Sequence, residues 1–270
     1  GKPKNVYAKK SFGQNFLVDG NYISKIISAL NPQQNETIIE IGAGRGALTE
    51  SLIESGAEII AVELERAMIA VLRERFGEAE NFHLIESDAL DVDFHETINP
   101  KSENRNPKSV KLVANLPFNI STAILQKLIE QRETFSEMVL MFQREVVERI
   151  TAQVGNPERG FLTVWVEAYL QAEKLFDVPP NAFSPAPKVW SSVVRLKPKE
   201  SFEIGDEKLF RQIISAGFRQ KRKTIYNNLK NFSVDVDLKT LLDNNEINAN
   251  RRAETLTLEE WTNLCRSFPG

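Results

Sequence analysis

The chain has 270 residues, 41% of them apolar and 26% charged, which suits a well-filled core and a main domain with a smaller one. No run of 18 apolar residues occurs, and the basic segment 1–10 has no apolar stretch behind it, so we expect no membrane span, no secretory signal and a cytoplasmic protein. Cys265 is the only cysteine and His83 and His95 are the only histidines, which excludes an internal disulfide and predicts no metal site.

Positive charge is concentrated in two stretches of a chain whose formal net charge is -3. Residues 1–18 contain four lysines and no acid, and residues 217–230 contain five basic residues and no acid, so the remainder carries -3 - 9 = -12. Concentrated positive charge is what contact with phosphate requires, although solvated faces that bind nothing have the same composition. The residues we predict to bind nucleic acid are Arg219, Lys221, Arg222 and Lys223.

Apolar, β-branched runs alternate with helical patterns through the first two-thirds of the chain. The predicted strands are Thr37–Ile41, Glu58–Val62, Phe82–Ile85, Val110–Ala114 and Met138–Phe142, and the predicted helices include Ala47–Glu54, Glu65–Phe76, Thr122–Gln131 and Arg144–Gln153. This alternation predicts an α/β fold with a parallel sheet covered on both faces. The proline-rich segment 177–187 predicts a loop, and Ser191–Leu196 predicts a last strand that suits an antiparallel position.

A polar segment at Lys197–Ser201 predicts a linker, and the residues beyond it have a helical pattern. We therefore predict a main domain over residues 1–197 and a small C-terminal helical domain over residues 198–270.

Three predicted strands end in residues suited to a nucleotide-type ligand. Gly42, Gly44 and Ala47 form a glycine-rich turn where a strand passes into a helix, and Glu63 at the next strand end can accept hydrogen bonds from ribose hydroxyls. NAD and S-adenosylmethionine both fit this pattern, and so does a tight turn beside a surface acid. At the third strand end, Asp88 can accept from an adenine amine while Ala89 donates a backbone N–H, although Asp88 also suits a simple turn cap.

The fourth strand end is the sequence Asn115-Leu116-Pro117-Phe118, which is suited to holding an adenine amine. The side-chain oxygen of Asn115 and the carbonyl of Leu116 can accept bonds from the amine and localise its nitrogen lone pair. Pro117 fixes the turn, and Phe118 supplies a ring for stacking. Alone, the four residues also suit an ordinary turn, but after the glycine-rich turn they predict methyl transfer from S-adenosylmethionine to an adenine.

Motifs along nearly the whole chain resemble the small-subunit ribosomal RNA adenine dimethyltransferases of the KsgA type. The matching segments are Lys9–Leu17, Glu40–Gly44, Ser87–Ala89, Asn115–Thr122, Phe142–Glu145, Val178–Pro180, Phe183–Val189 and Arg219–Thr224.

The resemblance implies a Rossmann-like methyltransferase sheet that binds S-adenosylmethionine. The residues it implies at the cofactor are Asn15, Leu17, Gly42, Glu63, Asp88 and Asn115. It also implies dimethylation of two adjacent adenines in a 3′-terminal helix loop of 16S rRNA during assembly of the small subunit, with segment 219–223 on the RNA backbone. We expect a monomer, because the chain has no exposed coiled-coil pattern, and the resemblance implies that it acts on the immature subunit.

Two residues depart from the family pattern: Phe118 stands where tyrosine is usual, and Trp190 stands where an acid is usual. Two alternative functions follow from related proteins. One is a 23S rRNA methyltransferase of the macrolide-resistance type, against which the basic segment 219–223, expected to be helical, and the full proline-rich loop argue. The other is a non-catalytic assembly or transcription factor, against which Glu63, Asp88 and Asn115 argue.

Overall fold

The structure is a computed structural model that describes residues 15–98, 110–116, 120–199, 204–232 and 236–268. The chain forms two compact units: unit 1 is Gly1–Val147 with Glu173–Pro198, and unit 2 is Glu148–Ala172 with Lys199–Gly270. The predicted domains, 1–197 and 198–270, differ from these two units mainly in residues 148–172, which belong to unit 2. That segment groups with the C-terminal helices because its aromatic residues pack there; the ring of Trp165 stacks on that of Phe210 at 6.4 Å.

The secondary structure alternates as the sequence predicts. The strands are β1 (Phe16–Leu17), β2 (Thr37–Ile41), β3 (Glu58–Glu63), β4 (Phe82–Glu86), β5 (Val110–Asn115), β6 (Glu137–Gln143), β7 (Leu170–Val178), β8 (Phe183–Ser184) and β9 (Ser191–Pro198). The helices are α1 (Gly20–Leu30), α2 (Thr49–Glu54), α3 (Arg66–Phe76), α4 (Phe94–Thr97), α5 (Ser121–Glu130), α6 (Arg144–Ile150), α7 (Phe161–Tyr169), α8 (Glu207–Gly217), α9 (Ile225–Leu229), α10 (Leu238–Asn244) and α11 (Leu258–Ser267).

Seven strands form one sheet in the order β4-β3-β2-β5-β6-β9-β7. The first five pair in parallel, and β9 pairs antiparallel with β6. The predicted α/β class and the antiparallel last strand are therefore confirmed. A second sheet joins β1 to β8, so the short N-terminal strand pairs with residues of the proline-rich loop.

Continuous apolar side chains explain why β2, β3 and β5 occupy the middle of the sheet. All five residues of β2 are buried, and only Glu58 in β3 and Lys111 and Asn115 in β5 are partly exposed. Strands buried on both faces have this composition, because helices cover both sides of a parallel sheet. The elements α1, α7 and β7 are not among the predicted ones. None of the helices in the described ranges is long and apolar enough to cross a membrane.

Unit 2 is built on helices that pack around Trp261 in α11, whose side chain is fully buried. A β-carbon on Gly217 at the end of α8 would lie 2.4 Å from the ring of Trp261, so only glycine allows this close packing. The buried Arg159 holds the segment before α7: its Nη2 lies 2.6 Å from a carboxylate oxygen of Glu167 and 3.4 Å from the carbonyl oxygen of Leu256.

Candidate active site

The carboxyl ends of the parallel strands bring the predicted site residues to one edge of the sheet. Ile41 lies opposite both Val62 in β3 and Ala114 in β5, so the residues that follow these strands are neighbours. The backbone N–H of Gly42 donates to the carbonyl oxygen of Val62 at 2.9 Å, and that of Ser87 donates to the backbone carbonyl oxygen of Glu63 at 3.1 Å. Ligands of open α/β sheets bind at this edge.

The glycine-rich turn lies close to Asn115 on one side and to Phe16 on the other. Gly42 and Gly44 have φ values of 71° and 56°, in the left-handed region that favours glycine. A β-carbon on Gly42 would lie 3.5 Å from the backbone oxygen of Asn115, and one on Gly44 would lie 3.2 Å from the ring of Phe16. Glycine at both positions therefore lets the turn fit between β5 and β1.

A cavity of about 270 Å³ opens between this turn and β1. Four of the predicted cofactor residues line it: Leu17, Gly42, Gly44 and Asn115. Asn15, also predicted, comes directly before β1 and is partly buried. The cavity volume is just below the range of about 300–1,000 Å³ that is usual for pockets holding a drug-sized ligand. A cavity of this volume can hold part of a nucleotide-sized molecule.

Glu63 is buried and its carboxylate joins the glycine-rich turn to β3. One oxygen accepts the N–H of Gly44 at 2.9 Å, and the other accepts the N–H groups of Leu64 and Glu65, each at 2.9 Å. A carboxylate has about four acceptor positions, so these three bonds leave about one for a ligand hydroxyl. To accept from both ribose hydroxyls, as predicted, Glu63 would have to release one backbone bond.

Asp88 and Ala89 lie one strand farther along the same edge. One carboxylate oxygen of Asp88 accepts the N–H of Leu90 at 2.9 Å, so the residue caps its own turn, as the alternative interpretation of the sequence proposed. Within the described ranges, the other carboxylate oxygen of Asp88 accepts no hydrogen bond, so it can accept one from a ligand amine. Ala89 is buried beside it.

Asn115 and Leu116 close the fourth strand end. Asn115 is partly buried and lines the cavity. Leu116 is buried, and its N–H lies 3.4 Å from the carbonyl oxygen of Met141, which fixes the direction of the chain after β5. Pro117 and Phe118, the other two predicted catalytic residues, lie outside the described residues.

Glu40 in β2 is a further residue of the cavity, for which the sequence motif alone gives no role. Its side chain is buried, and the hydroxyl of Thr49 donates to it at 2.6 Å. Desolvation by burial raises the pKa of this carboxyl to about 7, the bond from Thr49 opposes the rise, and the nearby charge of Glu63 adds to it. The signal in the sequence that could have identified Glu40 is its position as the lone acid of a largely apolar strand.

Two arginines border the cavity and were also not predicted. The guanidinium of Arg45 lies 4.3 Å from the centre of the Phe16 ring. Arg75 donates one bond to the backbone oxygen of Arg45 and forms an ion pair with Glu50 at 3.0 Å. Positive charge therefore surrounds the outer side of the glycine-rich turn, whereas the carboxyls of Glu40 and Glu63 lie on its inner side.

The predicted RNA-binding residues lie in unit 2, in a turn between α8 and α9. We call residues 219–223 the basic turn; its Arg219, Lys221, Arg222 and Lys223 are all exposed. The segment is not helical, contrary to expectation, because Thr224 begins a new helix by capping Asn227. Asn228 holds the turn: its side-chain amide donates to the carbonyl oxygens of Gly217 at 2.6 Å and Gln220 at 3.1 Å.

The described residues contain no group of three or more histidine, cysteine, aspartate or glutamate side chains placed to hold a metal ion.

Comparison with known proteins identifies similar chains over nearly the full length. A family model described as ribosomal RNA adenine dimethylase matches residues 5–268. The chain is 37% identical to the ribosomal RNA small subunit methyltransferase A of Natranaerobius thermophilus, over 98% of this chain and 93% of that protein. It is 39% identical to the protein of the same name from Saccharophagus degradans, over 97% of this chain and 94% of that one.

Solved structures give the same fold. A dimethyladenosine transferase from Plasmodium falciparum, 27% identical, has a TM-score of 0.78 and covers 92% of this chain and 95% of its own. The 23S rRNA methyltransferase ErmE has a TM-score of 0.69 at 21% identity and covers 94% of this chain and 99% of its own. At that identity the second likeness shows the fold alone.

The pKa of Glu40 predicts how stability depends on pH. An unfolded glutamate ionises near pH 4.5, whereas folded Glu40 keeps its proton to about pH 7, so the folded state binds the proton more tightly. The free energy of unfolding should therefore fall, by on the order of 3 kcal/mol, as the pH rises from 4.5 to about 7, and then level off. Glu40→Gln, which can still accept from Thr49, should lack this decrease.

Urea unfolding of both proteins at pH 5, 6, 7 and 8 measures the difference. The substitution removes one carboxyl and leaves the rest of the sequence unchanged, so the difference between the two curves measures the proton on Glu40. Curves that run parallel across this pH range would contradict a proton held on Glu40.

Proposed function

Because the chain belongs to the ribosomal RNA adenine dimethylase family, we propose that it adds two methyl groups to each of two adjacent adenines in a 3′-terminal loop of 16S rRNA. The enzyme dimethylates adenine in small-subunit ribosomal RNA, with S-adenosylmethionine as methyl donor. The observation that carries the proposal is the closeness of Gly42 in the glycine-rich turn to the backbone oxygen of Asn115. It allows a methyl donor and an amine acceptor to meet at one strand end.

The cavity fits part of S-adenosylmethionine, which supplies an activated methyl group on a positively charged sulfur. Apolar Leu17, the backbone of Gly42 and Gly44 and the acid Glu40 line the cavity, and the Glu63 carboxylate accepts the N–H of Gly44. Acids near the cavity favour a cationic ligand. The nucleoside would extend along the strand ends, with Glu63 at the ribose and Asp88 and Ala89 at the adenine. Asn15 would close the site from the β1 side.

The neutral side chain of Asn115 has two tasks in the proposed mechanism. An adenine amine is a poor nucleophile, since its lone pair is delocalised into the ring. The oxygen atoms of Asn115 and Leu116 accept the two amine hydrogens, which draws the nitrogen towards tetrahedral geometry and localises the lone pair. An uncharged acceptor also avoids forming an ion pair with the cationic donor.

The chain then needs to hold the two reactants in line rather than to supply a strong base. The methylated amine is acidic and can lose its proton to solvent. Pro117 would fix the turn and Phe118 would stack on the target base, which is worth about 1–3 kcal/mol. Phenylalanine keeps the stacking but lacks the hydroxyl of the usual tyrosine.

Two segments of the chain would contact the RNA. A loop adenine can be turned out of its stack at small cost, which suits a pocket at a sheet edge. The basic turn would contact the phosphate backbone, where exposed arginine and lysine side chains are the usual partners. We place the enzyme, as a monomer, on immature small subunits in the cytoplasm.

The proposed substrate can be tested with radiolabelled S-adenosylmethionine. Small subunits purified without these adenine methyl groups should incorporate up to four methyl groups each, and fully methylated subunits, the control, should incorporate none. Label on naked 23S RNA, with none on small subunits, would contradict the proposal in favour of the resistance methyltransferase. No label on either RNA would favour the non-catalytic assembly factor.

Asn115→Ala should lower the rate of methyl transfer by at least 100-fold, because one acceptor of the amine is lost. RNA affinity should remain within about twofold, since the side chain contacts one amine of a large interface. Single-turnover rates and filter binding on the same small subunits measure the two effects separately. Asn21→Ala, an exposed asparagine of the same unit, is the control. Equal losses of rate and affinity would mean that Asn115 has a structural role.

Replacing residues 221–223 by glutamine should weaken RNA binding and make it less sensitive to salt. Each lost phosphate contact should reduce the slope of log K against log salt by about 0.7–1. Three glutamines in place of Lys208, Lys239 and Arg266, which are exposed in the same unit, give the same charge change and should leave the slope nearly unchanged. An unchanged slope in the first variant would remove the basic turn from the RNA contact.

A further inference from the structure

Trp190 is a large apolar side chain that lies on the surface of unit 1. Its side chain is 45% exposed, and that of its neighbour Val189 is 42% exposed. The chain has three tryptophans, and the other two, Trp165 and Trp261, are buried in unit 2. Val189 and Trp190 are consecutive, so they expose adjoining apolar surface, and adjoining exposed apolar surface marks sites of contact.

The backbone is fixed at Trp190 and directly after it. The N–H of Arg144 donates to the carbonyl oxygen of Trp190 at 2.9 Å, and the next residue, Ser191, begins β9 opposite Gln143. The guanidinium of Arg144 lies 5.9 Å from the centre of the indole ring. A ligand that meets this ring therefore orders little of the chain, so less of the binding free energy is lost.

Positive charge flanks the ring. Arg144 and Lys188 are both exposed, one at the start of α6 and the other two residues before Trp190. An exposed aromatic ring with one cation over it and a second two residues away in the chain has the composition of sites that bind single-stranded nucleic acid, in which a base stacks on the ring and phosphates lie against the cations. A hydrophobic protein partner would not require both cations.

The strand register places this ring near the amine-holding turn. Asn115 lies opposite Met141 in β6, and Gln143, two residues farther along β6, lies opposite Ser191 in β9. Two strand spacings of about 4.8 Å and two to three residues of about 3.3 Å therefore separate Asn115 from Trp190, which gives about 12–14 Å between their backbones. This distance is within the reach of the same RNA loop.

We propose that Trp190, with Arg144 and Lys188, forms a stacking site for a loop nucleotide that neighbours the target adenine. The inference rests on the proposed function and adds a positioning residue to it. A neighbouring base held on the indole fixes the direction in which the loop leaves the active site. Trp190 therefore orients the adenine towards Asn115 without touching the reacting atoms.

The fluorescence of Trp190 gives a direct test, since it is the exposed one of the three tryptophans. The probe is a short RNA stem-loop with two adjacent adenines in its loop. Its binding should quench part of the fluorescence and protect it from iodide, and Trp190→Phe should lose both effects. An equal response of the wild type to the same RNA with abasic nucleotides on both sides of the adenines would overturn the proposal.

The affinity for small subunits that lack the methyl groups gives an independent test. Loss of a base–ring stack corresponds to about a 5- to 150-fold loss of affinity, so Trp190→Ala should weaken binding within that range, while Trp190→Phe should stay within about threefold of wild type. The affinity for S-adenosylmethionine should be unchanged in both variants. If alanine and phenylalanine behave alike, whether both match wild type or both lose affinity equally, stacking on Trp190 is contradicted.

A double-mutant cycle, which combines Trp190→Ala with an abasic nucleotide in the RNA, identifies the base that stacks on Trp190. An abasic nucleotide on one side of the adenines should weaken binding of the wild type but have little further effect on Trp190→Ala, because the same contact is already lost. Additive effects on both sides would mean that the ring meets something else, such as a ribosomal protein. Wild-type methylation of small subunits, measured alongside, separates this failure from a failure of the proposed function.

Discussion

The parallel pairing of β2 with β5 is the constraint on which the active site depends. It places Ile41 opposite Ala114, so the two chains leave the sheet side by side, one into the glycine-rich turn and the other into Asn115. A β-carbon on Gly42 would lie in ordinary van der Waals contact with the backbone oxygen of Asn115, at 3.5 Å, so the two segments are close neighbours. In the proposed mechanism, a donor held by the turn and an amine held by Asn115 would be neighbours because their strands are.

The charges of the site are arranged around that contact. Glu40 and Glu63 lie behind the glycine-rich turn, and burial together with their mutual repulsion keeps Glu40 protonated to about pH 7. A cationic donor in the cavity would favour the ionised form of Glu40, so cofactor binding and release of its proton are linked. In the proposed mechanism, Asn115 is neutral and would accept from the amine without competing for that cation. The two acids would attract the donor once Glu40 has released its proton, and the amide of Asn115 would activate the acceptor.

Much of this arrangement follows from the sequence, because strands buried on both faces have a distinctive apolar composition. The five parallel strands, the antiparallel strand at Ser191 and the alignment of Gly42, Glu63 and Asp88 at one edge could be predicted in this way. Features that depend on tertiary packing could not be predicted from the sequence. Residues 148–172 join the C-terminal helices through the packing of Trp165, the basic turn is not helical because Asn228 holds it, and the proton on Glu40 depends on burial that no local pattern encodes.

The most direct test of the account is the position of the methyl group relative to Asn115 in solution. With S-adenosylmethionine carrying a ¹³C-labelled methyl group and ¹⁵N-labelled protein, the account predicts a nuclear Overhauser contact between the methyl protons and the side-chain amide of Asn115. The assignment of that amide signal is checked by its absence in Asn115→Ala. A bound donor whose methyl group shows contacts to other residues of the cavity and none to Asn115 would contradict the account.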